Sequence, residues 1–445
     1  MKPQSFLPSP ALSGFARLVV LLIASSLLSV SRAADGPPAT PEQNLAWWRE
    51  ARLGMFVHWG PVSLKGTEIG WSRGDQVPIE EYDGLYRQFN PTKFDAKAWV
   101  KVAKTAGARY LVFTSKHHDG FCMWNTRFTD YNIMHTPFGR DVVKELSDAC
   151  RKQGIRFCTY HSICDWHHPD YPLGSPGGKT RKPGPDMDRY SQYLKNQLAE
   201  LIQGYGPLGI MWFDGEWEEP WNAERGVDLY RHCRELQDSL IVNNRVAKGR
   251  QGMAGVTAAG AFAGDYDTPE QEVGKFQDQR PWESCITICQ QWAWKPDDAL
   301  KSLQECVRTL ITCAGGDGNL LLNVGPMPSG EIEPRQVARL KEMGHWLKRN
   351  GESIYGTRGG PLKPGQWGVS THRDDTVYLH VLSWPVGDVL RLPALPGRIV
   401  NSSLLTGGTV RVTQTAQDVE VRLDPKHRQE IDTIVRLTLD SVGTR

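Results

Sequence analysis

Six side chains able to attack, bind or move protons stand at the ends of short apolar runs in this sequence. His58 closes LGMFVHWG, His117 and His118 follow RYLVFTSK, and His161 closes IRFCTYHS. Asp214 closes GIMWFDG and Arg245 closes LIVNNR. A carboxylate can attack an electrophilic carbon and later leave, imidazoles bind hydroxyls or transfer protons, and a guanidinium holds anions in place. Each residue alone has a plainer reading: His58 as a satisfied core histidine, His117 and His118 as helix caps, Arg245 as a structural ion-pair partner. Their succession at run ends is harder to dismiss, because in a parallel barrel the C-terminal strand ends open onto one mouth.

Clustered His and Asp are also metal-site material, which keeps a metal-dependent hydrolase among the alternatives. No HxH or HExxH spacing occurs, and adjacent histidines on an extended segment point to opposite sides. No metal and no cofactor is therefore expected. Of the acids after Asp214, the sequence places Glu216, Glu218 and Glu219 in a loop, mostly solvated.

The elements that must position these residues alternate. Strands are predicted at 53–60, 109–116, 155–162, 209–215, 240–245, 284–289 and 319–326. Helices are predicted over 94–107, 141–154, 189–206, 225–238, 298–312 and 334–351, several closed by glycine or opened by an acid or proline. The strands are apolar almost throughout, as parallel strands covered on both faces are. The expected fold is α/β, a (β/α)8-like barrel, with a doubly wound open sheet as the alternative. From about residue 356 to 445 the texture changes to short alternating runs between turn residues, the pattern of a small antiparallel β-sandwich.

Residues 1–33 read as a signal peptide: Lys2 and Arg17, the apolar LVVLLIASSLLSV, then small residues at Ser31 and Ala33. The expected organisation is thus 1–33 signal, 34–355 barrel and 356–445 sandwich, in a protein exported to the periplasm or outside the cell. A net charge of +2 on 445 residues gives no field for nucleic acid, and no other segment suggests a membrane span after signal removal. Nine cysteines leave room for one or two disulfides. Sixteen tryptophans, many beside His, Asp or Glu, suit the apolar faces of sugar rings, although most single tryptophans simply pack.

Taken in order, FVHWGPVS, TSKHHDGFCMW, TYHS, IMWFDGEW, VNNR, DTPEQ, PWESCITI and GNLLLNVGPMPSGEI resemble the α-L-fucosidases of glycoside hydrolase family 29 over roughly residues 45–350. The resemblance implies a (β/α)8-like barrel followed by a β-sandwich, and exo-acting, retaining removal of terminal α-L-fucose from a fucosylated oligosaccharide or glycoconjugate. It implies Asp214 as nucleophile and His58, His117, His118, His161, Trp212 and Arg245 as sugar-binding residues. Glu68 and Trp71 in GTEIGWSRG resemble the family's Glu–Trp element, with two residues between them. For the acid/base, Glu270 in YDTPEQE matches best, with Glu272 and Glu283 as competitors and Glu216 a weaker one. Glu283, after Trp282 at a strand start, reads as structural or as lying at the barrel's other end. A catalytically inactive fucose-binding protein is the alternative function.

Overall fold

The computed structural model describes residues 42–440, apart from 263 and 278, so the signal-peptide segment lies outside the described residues. The described residues fall within one compact unit. Seven parallel strands form one curved sheet: Leu53–Val57, Tyr110–Lys116, Arg156–Ser162, Ile210–Asp214, Ile241–Val242, Glu283–Thr287 and Asn319–Val324. The first strand pairs with both the second and the last, and Glu283–Thr287 pairs with Asn319–Val324. The gap between Ile241–Val242 and Glu283–Thr287 is filled by residues 266–270. They make parallel bridges from Asn243 to Tyr266 on one side, and from Asp267 to Trp282 and Glu270 to Cys285 on the other. Counting this irregular sixth strand, eight strands close the ring.

Helices follow most strands because their ends are written in the sequence. Asp95, Asp141, Asp186 and Asn222 each accept backbone N–H groups of the following first turn. Ser302 and Glu305 form a reciprocal capping box, so the helix expected over 298–312 runs instead from Leu303 to Gly315. Asp298 is held outside it, accepting the N–H groups of Gln290 and Gln291. Directly after the fifth strand the described residues form no α-helix but one 3-10 turn, Asn244–Val246, and a short hairpin, Arg250–Gln251 against Val256–Thr257. Gly255 ties this hairpin to the sixth strand: its φ is +65°, and a Cβ there would meet the Thr268 carbonyl oxygen at 2.0 Å.

Strand side chains alternate between two layers. Phe56, Tyr110, Val112, Tyr160, Trp212, Tyr266, Cys285 and Leu321 fill the barrel axis. Met55, Val57, Leu111, Phe113, Phe157, Met211, Phe213 and Leu322 face the helices. Beyond the barrel, five antiparallel strands (Arg358–Gly359, Gly368–Arg373, Thr376–Val381, Thr433–Leu439, Ile399–Leu404) face three (Val389–Pro393, Asp418–Arg422, Arg411–Gln414). Alternation again assigns the layers. Val377, Leu379, Val435 and Leu437 pack inside the sandwich, whereas Tyr378 and Ile434 join the core shared with the barrel. Polar links fasten the two, including the Thr371 hydroxyl donating to the Ser353 carbonyl at 2.6 Å and Arg308 donating to the Ile431 carbonyl at 2.9 Å. All nine cysteines are free and buried, so the disulfides allowed by their number do not form.

Candidate active site

Asp214 ends the fourth strand, Arg245 follows the fifth and Glu270 ends the sixth, so three neighbouring strands deliver them to one place. Ile210 and Trp212 belong to the axial layer, and Asp214 continues that face above them. The chain then turns through Gly215 at φ +100°, where a Cβ would sit 2.4 Å from Cys164 Sγ. This is the local reason for the glycine in WFDG.

One guanidinium spans both carboxylates. Arg245 Nη1 donates to Asp214 Oδ1 at 2.6 Å, and Nη2 donates to Glu270 Oε2 at 2.7 Å. Its Nε donates to Thr268 Oγ1 at 2.9 Å, and the Thr268 hydroxyl in turn donates to Asn244 at 2.8 Å. The guanidinium also lies 4.5 Å over the Trp212 ring, which fixes its plane. Asp214 Oδ2 accepts the Tyr160 hydroxyl at 3.0 Å and lies 3.5 Å from His118 Nε2. Burial alone would raise the Asp214 pKa. The positive charge of Arg245, with smaller contributions from His118 and Arg250, outweighs it and holds Asp214 below the ordinary carboxylate value.

A second guanidinium extends the chain of charges. Arg250, from the hairpin, places Nη2 3.4 Å from Glu270 Oε2 and Nη1 3.7 Å from Glu216 Oε1. Glu216 is 3% exposed, and its Oε2 has no hydrogen-bond partner. Burial, opposed by Arg245 and reinforced by Asp214, pushes its carboxyl up to about 7.

These groups line a cavity of about 330 Å³ together with His58, Trp71, His117, Tyr160, Trp212, Trp217 and Trp292. Burial holds His58 down at about 3 and His117 well below its ordinary value, so both imidazoles are neutral. Asn323 donates its amide to the Trp292 carbonyl at 2.8 Å, which turns its oxygen to His58 Nδ1 at 2.7 Å. That nitrogen is then the donor, and Nε2 is left as an acceptor. His117 stacks on Tyr160 at 5.3 Å, and its buried Nδ1 has no partner. The result is a small aromatic cup with a few convergent polar groups, the form of a monosaccharide site.

The comparisons with known proteins agree with this geometry. A family model described as alpha-L-fucosidase matches residues 35–352. The tissue alpha-L-fucosidase of Homo sapiens is 30% identical over 439 residues, covering 90% of this chain and 88% of that protein. This chain belongs to the α-L-fucosidases, glycoside hydrolases of family 29. The α-L-fucosidase isoenzyme 1 from Paenibacillus thiaminolyticus superimposes with a TM-score of 0.80 at 34% identity, covering 90% of this chain and 99% of its own. A family 29 α-L-fucosidase from Bacteroides thetaiotaomicron was trapped as a covalent intermediate with 2-fluoro-fucosyl fluoride using a Glu-to-Gln mutant. It superimposes with a TM-score of 0.80 at 28% identity, covering 91% of this chain and 98% of its own.

Not every residue singled out in the sequence reaches the fucosidase cup. His161 does not: it is wholly buried on the helix-facing side of its strand, with Nδ1 3.1 Å from Ser115 Oγ and its ring against Trp124. The inward neighbour Tyr160 takes its place. Glu68 is also diverted. Its oxygens accept the N–H groups of Trp292 at 2.9 Å, Ala293 at 3.0 Å and Ile69 at 3.2 Å, so it holds the loop that carries Trp292 to the cavity. Burial raises its pKa, opposed by these hydrogen bonds. His118 lies just behind the lining, its Nδ1 2.6 Å from Ser162 Oγ. Trp71 is at the rim, 41% exposed and stacked on Trp217 at 6.0 Å.

Of the competing acids, Glu272 is exposed and outside the cavity lining. Glu283 is wholly buried on the barrel axis, where it accepts the indole N–H groups of Trp48 and Trp212, each at 3.2 Å, and the Tyr110 hydroxyl. It supports Trp212, the cavity floor, from below. Among the described residues, no group of three or more His, Cys, Asp or Glu is arranged to hold a metal ion.

Proposed function

We propose that the chain is an exo-acting, retaining α-L-fucosidase that releases terminal fucose from oligosaccharides or glycoconjugates through a covalent fucosyl–enzyme. The carrying observation is the Arg245 guanidinium, hydrogen-bonded to Asp214 and Glu270 at once beside a sugar-sized aromatic cup. Asp214, kept ionised, attacks the anomeric carbon. Glu270 gives a proton to the departing oxygen and later takes one from the attacking water. His58 and His117 bind ring hydroxyls, His118 stands behind the lining 3.5 Å from Asp214 Oδ2, and Trp212 and Trp71 cover apolar edges. Phe56, Tyr160 and Trp212 lie at the top of the axial layer, and this closed floor leaves depth for one terminal sugar. A fucose-binding protein without activity would need neither the paired carboxylates nor their shared guanidinium.

The test is covalent trapping. Incubation with 2-fluoro-fucosyl fluoride should add one fluorofucosyl mass to the peptide that contains Asp214, and NMR of early turnover should show α-L-fucose formed first. A label on another residue, or β-L-fucose as first product, overturns the reading.

We also propose export, on the strength of the charged, apolar and small-residue order of residues 1–33. Among the described residues no helix is long and apolar enough to cross a membrane. N-terminal sequencing of protein recovered from the periplasm or medium should begin near Ala34, and an intact Met1 there contradicts export.

A further inference from the structure

The mechanism above leaves one buried carboxyl of the cavity without a task. Glu216 lines the cavity, its side chain is 4% exposed, and Oε2 has no hydrogen-bond partner. A buried carboxyl oxygen without a partner is costly unless a ligand completes it. The cation within ion-pair range, Arg250, is 3.7 Å away, beyond hydrogen-bond reach.

We propose that Glu216 is a specificity-determining residue that hydrogen-bonds a hydroxyl of the sugar from which fucose is released. The inference rests on the assignment of Glu270 as acid, because Glu270 marks where the glycosidic oxygen lies. Arg250 places one terminal nitrogen 3.4 Å from Glu270 and the other 3.7 Å from Glu216. Glu216 and Glu270 thus face the two terminal nitrogens of one guanidinium on the same cavity wall. Its chain neighbour Trp217 and the hairpin residue Met253 are 42% and 48% exposed, so this part of the wall leads outward to the rim. The floor residues Phe56, Tyr160 and Trp212 are at most 2% exposed. A leaving sugar placed here would have its ring against Trp217 and Met253 and a hydroxyl at Glu216. Near neutral pH a carboxyl that burial has raised to about 7 carries its proton in part, so it can donate to a hydroxyl oxygen as well as accept.

The experiment compares Glu216→Ala and Glu216→Gln on a fucosyl-disaccharide and on a series of aryl α-L-fucosides, whose leaving groups carry no sugar hydroxyls. The expected result is that the ratio of kcat/KM for the disaccharide to that for the aryl fucosides falls about tenfold or more in the Ala variant. That is roughly the worth of one hydrogen bond to such a group. The Gln variant, which keeps a donor and an acceptor, should restore most of the ratio and guards against misfolding. An unchanged ratio overturns the proposal, whether both rates fall together or neither moves. A loss that grows along the aryl series as the leaving group worsens also overturns it, and makes Glu216 the proton donor in place of Glu270. Trapping with 2-fluoro-fucosyl fluoride in the Ala variant keeps the two readings apart. A label absent from Asp214 fails the retaining assignment, whereas a label present with an unchanged ratio fails only the leaving-sugar contact.

Discussion

Asp214→Gly should lower turnover of an aryl α-L-fucoside by about 10³-fold or more, the scale seen when a nucleophile is removed from a site that otherwise persists. Added azide should restore part of the rate and yield β-fucosyl azide. The reason is geometric. Removing the side chain opens a space floored by Trp212, while Arg245 Nη1 and the Tyr160 hydroxyl, the two donors that held the carboxylate, still point into it. A small anion can occupy that space, paired with Arg245, and attack from the same face that Asp214 used. Asp214→Asn should be as slow but resist rescue, because the amide fills the space and carries no charge. Near-normal rates in the Gly variant, or rescue that gives α-fucosyl azide, would sink the nucleophile assignment. The wild-type acid limb offers a second check. The Asp214 carboxyl lies below its ordinary value of 3.8, because Arg245 outweighs burial. As pH falls, loss of activity through this group should therefore begin only below that value.

Most of the barrel and the position of Asp214 were legible because they follow from local rules. Apolar runs, acidic caps and terminal glycines mark seven strands and their helices, and a polar residue closing a run marks the mouth. The sixth strand was not legible. YDTPE is polar, Pro269 lacks an N–H, and its pairing is reduced to isolated bridges. Glu270 accordingly falls outside every strand predicted from the sequence, although it obeys the same strand-end rule as Asp214. His161 illustrates a different loss. A strand's last residues alternate between layers, and the register through Cys158 and Tyr160 sends Tyr160 to the axis and His161 to the helices. Phase, not proximity to the strand end, decides which residue reaches the mouth, and counting back from Trp212 and Asp214 in the neighbouring strand could have revealed it. Arg250, Trp217, Met253 and Trp292 come from loops whose course depends on tertiary contacts such as Gly255 on Thr268 and Glu68 on residues 292–293. No periodicity marks such contacts.

Glu270→Ala should separate substrates by their leaving groups. With a fucosyl-oligosaccharide, whose departing oxygen needs a proton, the rate of fucosyl transfer to the enzyme should fall by about 10²–10⁴-fold, the usual scale for general acid catalysis. With an activated aryl fucoside, whose leaving group departs as a stable anion, that step should slow much less. Arg245 Nη2, 2.7 Å from Glu270 Oε2, and Arg250 Nη2, 3.4 Å from the same oxygen, hold the Glu270 side chain at the cavity wall beside Asp214. Azide supplies the stereochemical proof. In Glu270→Ala it should intercept the fucosyl–enzyme from the face opposite Asp214 and give α-fucosyl azide, the opposite anomer to that expected from Asp214→Gly. Glu272→Ala, at an exposed position outside the cavity lining, should change neither substrate's rate. If Glu270→Ala slows both substrate classes equally, or yields no α-fucosyl azide, Glu270 is not the acid/base. The proton-holding Glu216, on the other side of Arg250, then becomes the residue to test in that role.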